Sequence, residues 1–194
     1  MALRKARTSF LRRFSRAHRG AAAVEFAFIA FPFLLLLFGI VELAMVFVVA
    51  TTLEGATDSA SRRIRTGEFQ TSGATSKTDF RDLVCARMSW LAGGCAAKLV
   101  VDVQTFAVGD YVTAAGSTPQ NPTTFDPLTT CFSAGGPGDI VLVRTYYPWT
   151  LFTPLLNSAL QNMGTGTGKR LVSAVAAFRN EPYNNDATVG AKCT

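Results

Sequence analysis

The rhythm of hydrophobic and polar positions changes twice along this chain. Residues 20–50, GAAAVEFAFIAFPFLLLLFGIVELAMVFVVA, are apolar on every helical face, interrupted only by Glu25 and Glu42, and residues 26–41 carry no charge. That exceeds the ~20 residues needed to span a bilayer as a helix, and a soluble core helix is rarely apolar all round for so long. The pattern predicts a transmembrane helix. Beyond it the apolar residues thin to a stripe, Leu53, Ala56, Ala60 and Ile64, at spacings of three and four. The same helix is therefore expected to continue out of the membrane with one buried face. Asp58 and Arg62 stand one turn apart, the spacing for i,i+4 support. Thr66-Gly67 supplies a stop, with glycine as the left-handed cap. Pro32 removes the hydrogen bond to the Phe28 carbonyl and predicts a bend there.

The third rhythm is that of a small mixed domain. Residues 68–77, EFQTSGATSK, read as a loop. Ser76 or Thr78 can cap a second helix that places Phe80, Leu83, Val84, Met88 and Leu91 on one face and ends at Gly93-Gly94. Residues 99–106, 139–147 and 170–179 read as strands; the last is alanine-rich, but the glycine run before it and Val172, Val175 and Phe178 favour strand over helix. Residues 109–138 form a long loop rich in Pro, Gly, Ser and Thr, and loops of that length are usually functional or tied down. Residues 148–162 read as an apolar connector packed on the sheet, with a short helix after Pro154 and Trp149, Leu151 and Phe152 as alternative membrane-surface contacts. The expected class is α+β. A long N-terminal transmembrane helix continues into a small disulfide-bonded domain with a three-stranded antiparallel sheet and a second helix covering it. The boundaries are a leader at 1–20, the membrane helix at 21–50, its continuation at 51–67 and the domain at 68–194.

Charge sharpens the picture. Seven of the 19 Lys and Arg residues (Arg4, Lys5, Arg7, Arg12, Arg13, Arg16, Arg19) lie in the first twenty residues, with none of the 13 acids. Residues 21–194 thus hold twelve cations and thirteen anions, a net −1. The pI of about 9.5 belongs to the leader, which argues against nucleic acid as a partner of the body. Positive charge beside a first membrane helix holds that end in the cytoplasm. The expected location is a bacterial inner membrane, crossed once, with the C-terminal domain outside the cytoplasm.

A secretory signal peptide would have a shorter apolar core followed by small residues. Here Gly20-Ala21-Ala22-Ala23 precede the apolar core, which suits a peptidase that cuts on the cytoplasmic side and leaves the helix on the mature protein. Basic residues, Gly20, then AAAVEF and an apolar helix resemble a type IV prepilin N-terminus. In more detail RGAAAVEFAF, Pro32, GIVE at 39–42, Ala60 and Arg62-Arg63 resemble the TadE-like minor pseudopilins of tight-adherence (Flp) pilus systems. So do Tyr147-Pro148-Trp149 and Phe178-Arg179-Asn180-Glu181-Pro182-Tyr183 near the chain's end. The resemblance implies cleavage between Gly20 and Ala21 by a prepilin peptidase. It also implies Glu25 as the carboxylate that pairs with a neighbouring subunit's new α-amine. The implied partners are that peptidase, other pilins or minor pseudopilins, the membrane platform of a Tad secretion system and the lipid bilayer. The bland alternative for Glu25 is a carboxylate favoured by the helix N-terminal dipole.

Glu42 lies 17 residues beyond Glu25, about 26 Å along a helix, and points to a different side; water or a polar group on a partner helix would suit it. Asn180-Glu181-Pro182 reads as a turn leaving the last strand. Chemistry of other kinds finds no footing. The one histidine, His18, sits in the leader, which leaves no Ser–His–Asp or Cys–His arrangement for the domain. MGTGTGKR at 163–170 fails as a phosphate loop because Met163 and Arg170 occupy required positions. DSAS at 58–61 fails as a metal motif at Ala60. No catalytic residue, metal, cofactor or small-molecule substrate is assigned. The four cysteines, Cys85, Cys95, Cys131 and Cys193, allow three pairings. Cys85–Cys95 with Cys131–Cys193 is favoured, and free thiols are the alternative. The function expected is that of a minor pseudopilin in pilus assembly. The rival is an uncleaved, single-pass anchored binding or adhesion module.

Overall fold

The computed structural model describes residues 18–73, 76–107, 109–153 and 156–183. By its internal contacts the chain divides into two units, Met1–Leu43 and Ala44–Thr194. Helix α1, His18–Arg65, begins in the first and ends in the second. Within the first unit it runs without a break through Pro32. Nearly all its large side chains there are exposed, Phe26 at 72 % and Phe28 at 77 % among them.

In the second unit the sequence stripe becomes a packed face. Val49, Leu53, Ala56, Ala60 and Ile64 are buried, joining a core supplied by the sheet and the following helices. The sheet has strand order β1-β2-β3, with β1 Val100–Phe106, β2 Ile140–Thr150 and β3 Lys169–Arg179. Both pairings are antiparallel, with Val103 opposite Val143 and Val143 opposite Ala176. Alternation then sorts the two faces. Val101, Val103, Val141, Val143, Tyr147, Val172 and Ala174 enter the core, and a hydrogen bond of 2.7 Å between the buried hydroxyls of Thr57 and Thr145 ties helix to sheet.

α1 stops at Arg65, and Gly67 takes the left-handed φ of 78° expected of it. Several other local expectations are corrected. Residues 68–77 are not simply a loop: Glu68–Thr71 forms a short helix, α2, that buries Phe69 and Gln70. The apolar ring drives this, since Phe69 meets Phe80 and Phe132 at centroid distances of 5.9 and 5.8 Å. Helix α3, Lys77–Arg87, is capped by Ser76 in a reciprocal box with Asp79, a device that satisfies two otherwise orphaned donors. Gly93-Gly94 do not end that helix. The chain makes a 3₁₀ turn at Ser89–Leu91, and both glycines lie inside a further helix, α4, Ala92–Lys98. Burial of Cys95 and its disulfide to Cys85 hold α4 in place. The spacing of Asp58 and Arg62 produces no ion pair among the described residues; the salt bridges nearby are Arg63–Glu68 and Arg65–Glu181.

The long loop carries more structure than its composition suggests: helix α5, Tyr111–Gly116, and two 3₁₀ turns, Pro122–Thr124 and Pro127–Thr129. It covers the outer face of β1 and β2, then pairs Phe132 with Val103 in a parallel bridge along the free edge of β1. β2 extends three residues past its expected end, to Thr150, and a short helix, α6, Asn157–Leu160, follows. Pro154 lies outside the described residues.

Candidate functional site

Two groups of residues carry the functional expectations, one at each end of the described chain. At the N-terminal end Gly20 and Ala21 lie in α1. A Cβ built on Gly20 would meet nothing within 4 Å. The helix therefore has no packing reason for glycine there, although glycine in a helix interior costs about 1 kcal/mol relative to alanine. Glu25 is exposed, one turn and a residue further on. Glu42 is fully buried, while Val41 and Leu43 beside it are 44 % and 54 % exposed. The leader cations at 4–16 lie outside the described residues.

The C-terminal group falls on structure that locks the end of α1. Tyr147, Pro148 and Trp149 belong to β2, opposite Val172, Leu171 and Arg170. Pro148 costs the ladder one donor. Tyr147 is buried in the core, which pushes its hydroxyl up from the ordinary tyrosine range. Trp149 packs edge-on against Trp90 at 6.1 Å.

Residues 180–182 do not form the expected turn. Asn180 continues the β2–β3 ladder, its N–H donating to the Asp139 carbonyl at 2.8 Å. Its buried side-chain amide donates to the Ala134 and Gly136 carbonyls, both at 3.0 Å. The Glu181 N–H donates to the Arg65 carbonyl at 2.9 Å, and its carboxylate pairs with the Arg65 guanidinium at 3.2 Å. Tyr183 lays its ring over Gly67, so closely that a Cβ there would sit 2.4 Å from the ring. The Tyr183 hydroxyl donates to the Gly135 carbonyl at 3.4 Å. Burial, then the nearby Asp139 charge, raise its pKa, against a hydrogen bond from Asn180. The segment thus occupies one of the carbonyls left orphaned at a helix C-terminus and joins it to the loop at 134–138. Its chemistry is that of a clamp.

A polar cluster under the long loop was not singled out by sequence pattern. Asp102 and Arg144 face each other across β1 and β2, both buried, 3.9 Å apart. Asp102 accepts from the Cys131 N–H at 3.0 Å. Arg144 donates to the carbonyl and hydroxyl of Ser117, and Tyr146 accepts from the Gln120 N–H at 3.3 Å. Lys77 reaches the Thr130 carbonyl at 3.2 Å; burial lowers its pKa, opposed by Asp102. Apart from the Asp102–Arg144 pair itself, each of these contacts pins a residue of the loop between 117 and 131, so the cluster is a fastening for the loop. The alternation of polar residues 102 and 144 with apolar ones on adjacent strands was the signal that could have revealed it.

The expected Cys85–Cys95 disulfide is present, with a Cα–Cα distance of 5.5 Å. It joins α3 to α4. Cys131 is disulfide-bonded. Its expected partner Cys193 lies outside the described residues. Among the described residues no His, Cys, Asp and Glu group is arranged to hold a metal, and one helix is long and apolar enough to cross a membrane.

No curated protein and no solved structure matches the chain. A family model does: residues 20–62, which open at Gly20 and run into the packed half of α1, are similar to the family described as TadE-like protein.

Proposed function

We propose that this chain is a minor pseudopilin, a structural and assembly component of a tight-adherence pilus, matured by a prepilin peptidase that cleaves between Gly20 and Ala21. The observation that carries the reading is the TadE-like match, which opens on the candidate processing glycine and covers the apolar helix. The exposure of the large apolar residues over 26–41 supports lipid or neighbouring helices as their surroundings. In this reading residues 1–20 stay in the cytoplasm and the C-terminal body lies outside it. Glu25 pairs with the new α-amine of an adjacent subunit, since a lone carboxylate in the membrane is costly. The partners are then the peptidase, other pilins or minor pseudopilins, and the membrane platform of the Tad system. The protein acts as a component and performs no catalysis of its own.

The test is the mature N-terminus and its dependence on two residues. Mature protein should begin at Ala21. Gly20→Leu should block maturation through the peptidase's fit alone, because nothing in the chain crowds that position. Glu25→Ala should still be cleaved but lose subunit crosslinks, as breaking a buried ion pair costs about 3–5 kcal/mol. A protein from the native host that retains Met1 or Ala2 would overturn the pseudopilin reading in favour of an anchored envelope module. Normal assembly of Glu25→Ala would remove the amine-pairing role while leaving processing intact.

A further inference from the structure

Among the described residues β3 is an edge strand whose outer side is open. Among them it pairs only with β2, in unbroken register from Ile140↔Arg179 to Thr150↔Lys169. The Asn162 side chain shows which groups face outward. It accepts from the Leu171 N–H at 2.6 Å and donates to the Leu171 carbonyl at 3.2 Å, so the odd-numbered residues turn their backbone groups away from β2. Asn162 closes that edge at one end. The Glu181 N–H to the Arg65 carbonyl closes it at the other. Between them Ser173, Val175, Ala177 and Arg179 have no outer backbone partner among the described residues, and all four are exposed.

Natural proteins blunt such edges with proline, bulges or inward-pointing charge. Within β3, KRLVSAVAAFR, there is no proline or acid, the register has no bulge, and the middle is small and apolar. The edge is also shaped. A groove of about 430 Å³ runs beside it, walled by Val175 to Phe178 and by Asp58, Ser61, Arg62 and Arg65 of α1. The Ser61 hydroxyl lines this groove, is buried, and has no hydrogen-bond partner among the described residues. Arg65 is paired with Glu181, but Arg62 is exposed and enters no ion pair among the described residues.

We propose that the β3 edge is a docking site for an extended, acidic segment of another protein chain, which adds as a fourth strand and sets a carboxylate near Arg62 and the Ser61 hydroxyl. Charge selects the occupant. β3 carries Lys169, Arg170 and Arg179 with no acid, and together with Arg62 and Arg65 of α1 these outnumber the two acids nearby, Asp58 and the Glu181 that pairs with Arg65. A second copy of the chain fits poorly. Parallel self-pairing would oppose Arg179 to itself, and like charges directly opposite are destabilising; in either direction a second β3 brings no acid to meet these cations. Main-chain hydrogen bonds give such strand addition its affinity, and alternate side chains its specificity. This stands independently of how the N-terminus is processed.

The test uses the full chain in detergent micelles and three labelled peptides of alternating threonine and valine. One has a central glutamate, one a central lysine, and one is the glutamate peptide N-methylated on alternate amides along either edge. Fluorescence anisotropy should show the glutamate peptide binding roughly tenfold tighter than the lysine peptide, an ordinary worth for a few charge contacts. N-methylation should abolish binding. Arg62→Glu, an exposed change that circular dichroism should show to be folded, should reverse the preference. No binding by the glutamate peptide, or equal binding after N-methylation, would overturn the proposal. So would self-association through β3 that the glutamate peptide fails to compete.

Discussion

The two halves of α1 share one backbone geometry and meet opposite surroundings. Over residues 26–41 nearly all the large side chains stay exposed; over 49–64 five apolar residues at spacings of four and three are buried with Thr57 and Ser61 beside them, and the rest are polar or small. Helical propensity cannot separate them, because both halves are good helix. What differs is the width of the apolar surface: a full circumference in one, a stripe in the other. A full circumference can be satisfied only by lipid or other helices, whereas a stripe can be satisfied by the chain's own sheet. The comparison teaches that one continuous element can hold two roles when the pattern around its axis changes and its period does not.

That difference predicts the largest contrast in stability. Leu53→Ala removes a fully buried side chain of the core and should lower the unfolding free energy of the C-terminal body by ~2–5 kcal/mol. Leu36→Ala, at an exposed position in the other half, should shift it by less than ~0.5 kcal/mol. Thermal or denaturant unfolding in micelles, followed by near-ultraviolet circular dichroism, checks both. Equal losses would mean that the two halves are stabilised by the same contacts, and the comparison would fail.

Legibility in the sequence follows the same division. The helix, the three strands and the Cys85–Cys95 bond could be read because each rests on a local pattern: apolar circumference, β-branched runs, or a short cysteine spacing. The α4 helix could not be read, since Gly93 and Gly94 are poor helix formers and it is the tertiary constraint of Cys95 that overrides them. Phe69 was lost inside a polar stretch because one aromatic has no periodicity; its burial depends on Phe80 and Phe132, the latter more than 60 residues away. The resemblance points to Asn180, Glu181 and Tyr183, but locally Asn180-Glu181-Pro182 reads as a turn and nothing in the sequence gives Tyr183 a role. A clamp is defined by what it holds, here Arg65 and Gly67, and no pattern local to residues 180–183 names those partners. The Gly20–Ala21 and Glu25 expectations concern a peptidase and neighbouring subunits, which a single chain does not contain.

A smaller contrast sets two glycines at the body's end of α1 against each other. Gly55, inside the helix, has nothing within 4 Å of a would-be Cβ, while Gly67 combines a φ of 78° with the Tyr183 ring 2.4 Å away. Gly55→Ala should stabilise by up to ~1 kcal/mol through helix propensity. Gly67→Ala should destabilise by ~1–3 kcal/mol, from left-handed strain and overpacking together. Adding Tyr183→Ala to Gly67→Ala should return the steric part and leave the conformational part. If the double variant is no better than the single, the ring is not what crowds Gly67, and the clamp is looser than its geometry indicates.

The smallest effect is a pH dependence confined to the body. All four tyrosines follow residue 110, and none lies in α1. Tyr146, Tyr147 and Tyr183 each have a pKa raised above the ordinary value of 10.0, with burial the leading cause. Below pH 10 these phenols are protonated in both folded and unfolded chains and contribute no slope. As pH climbs past 10 the unfolded chain releases protons that the folded chain still holds. The unfolded state then binds fewer protons, so stability falls with rising pH. The loss should continue until the folded phenols also ionise. Unfolding of the body measured at a series of pH values from 8 to 11, with phenolate absorbance recorded in parallel, should show a stability decline that tracks delayed tyrosine ionisation. Tyr147→Phe should flatten the decline, because that hydroxyl's shift comes from burial alone. The helical signal of residues 26–41, which hold no titratable group, should remain constant across the range. A helix signal that melts together with the body above pH 10 would show that the apolar half depends on the body for its structure, the dependence that its apolar circumference argues against.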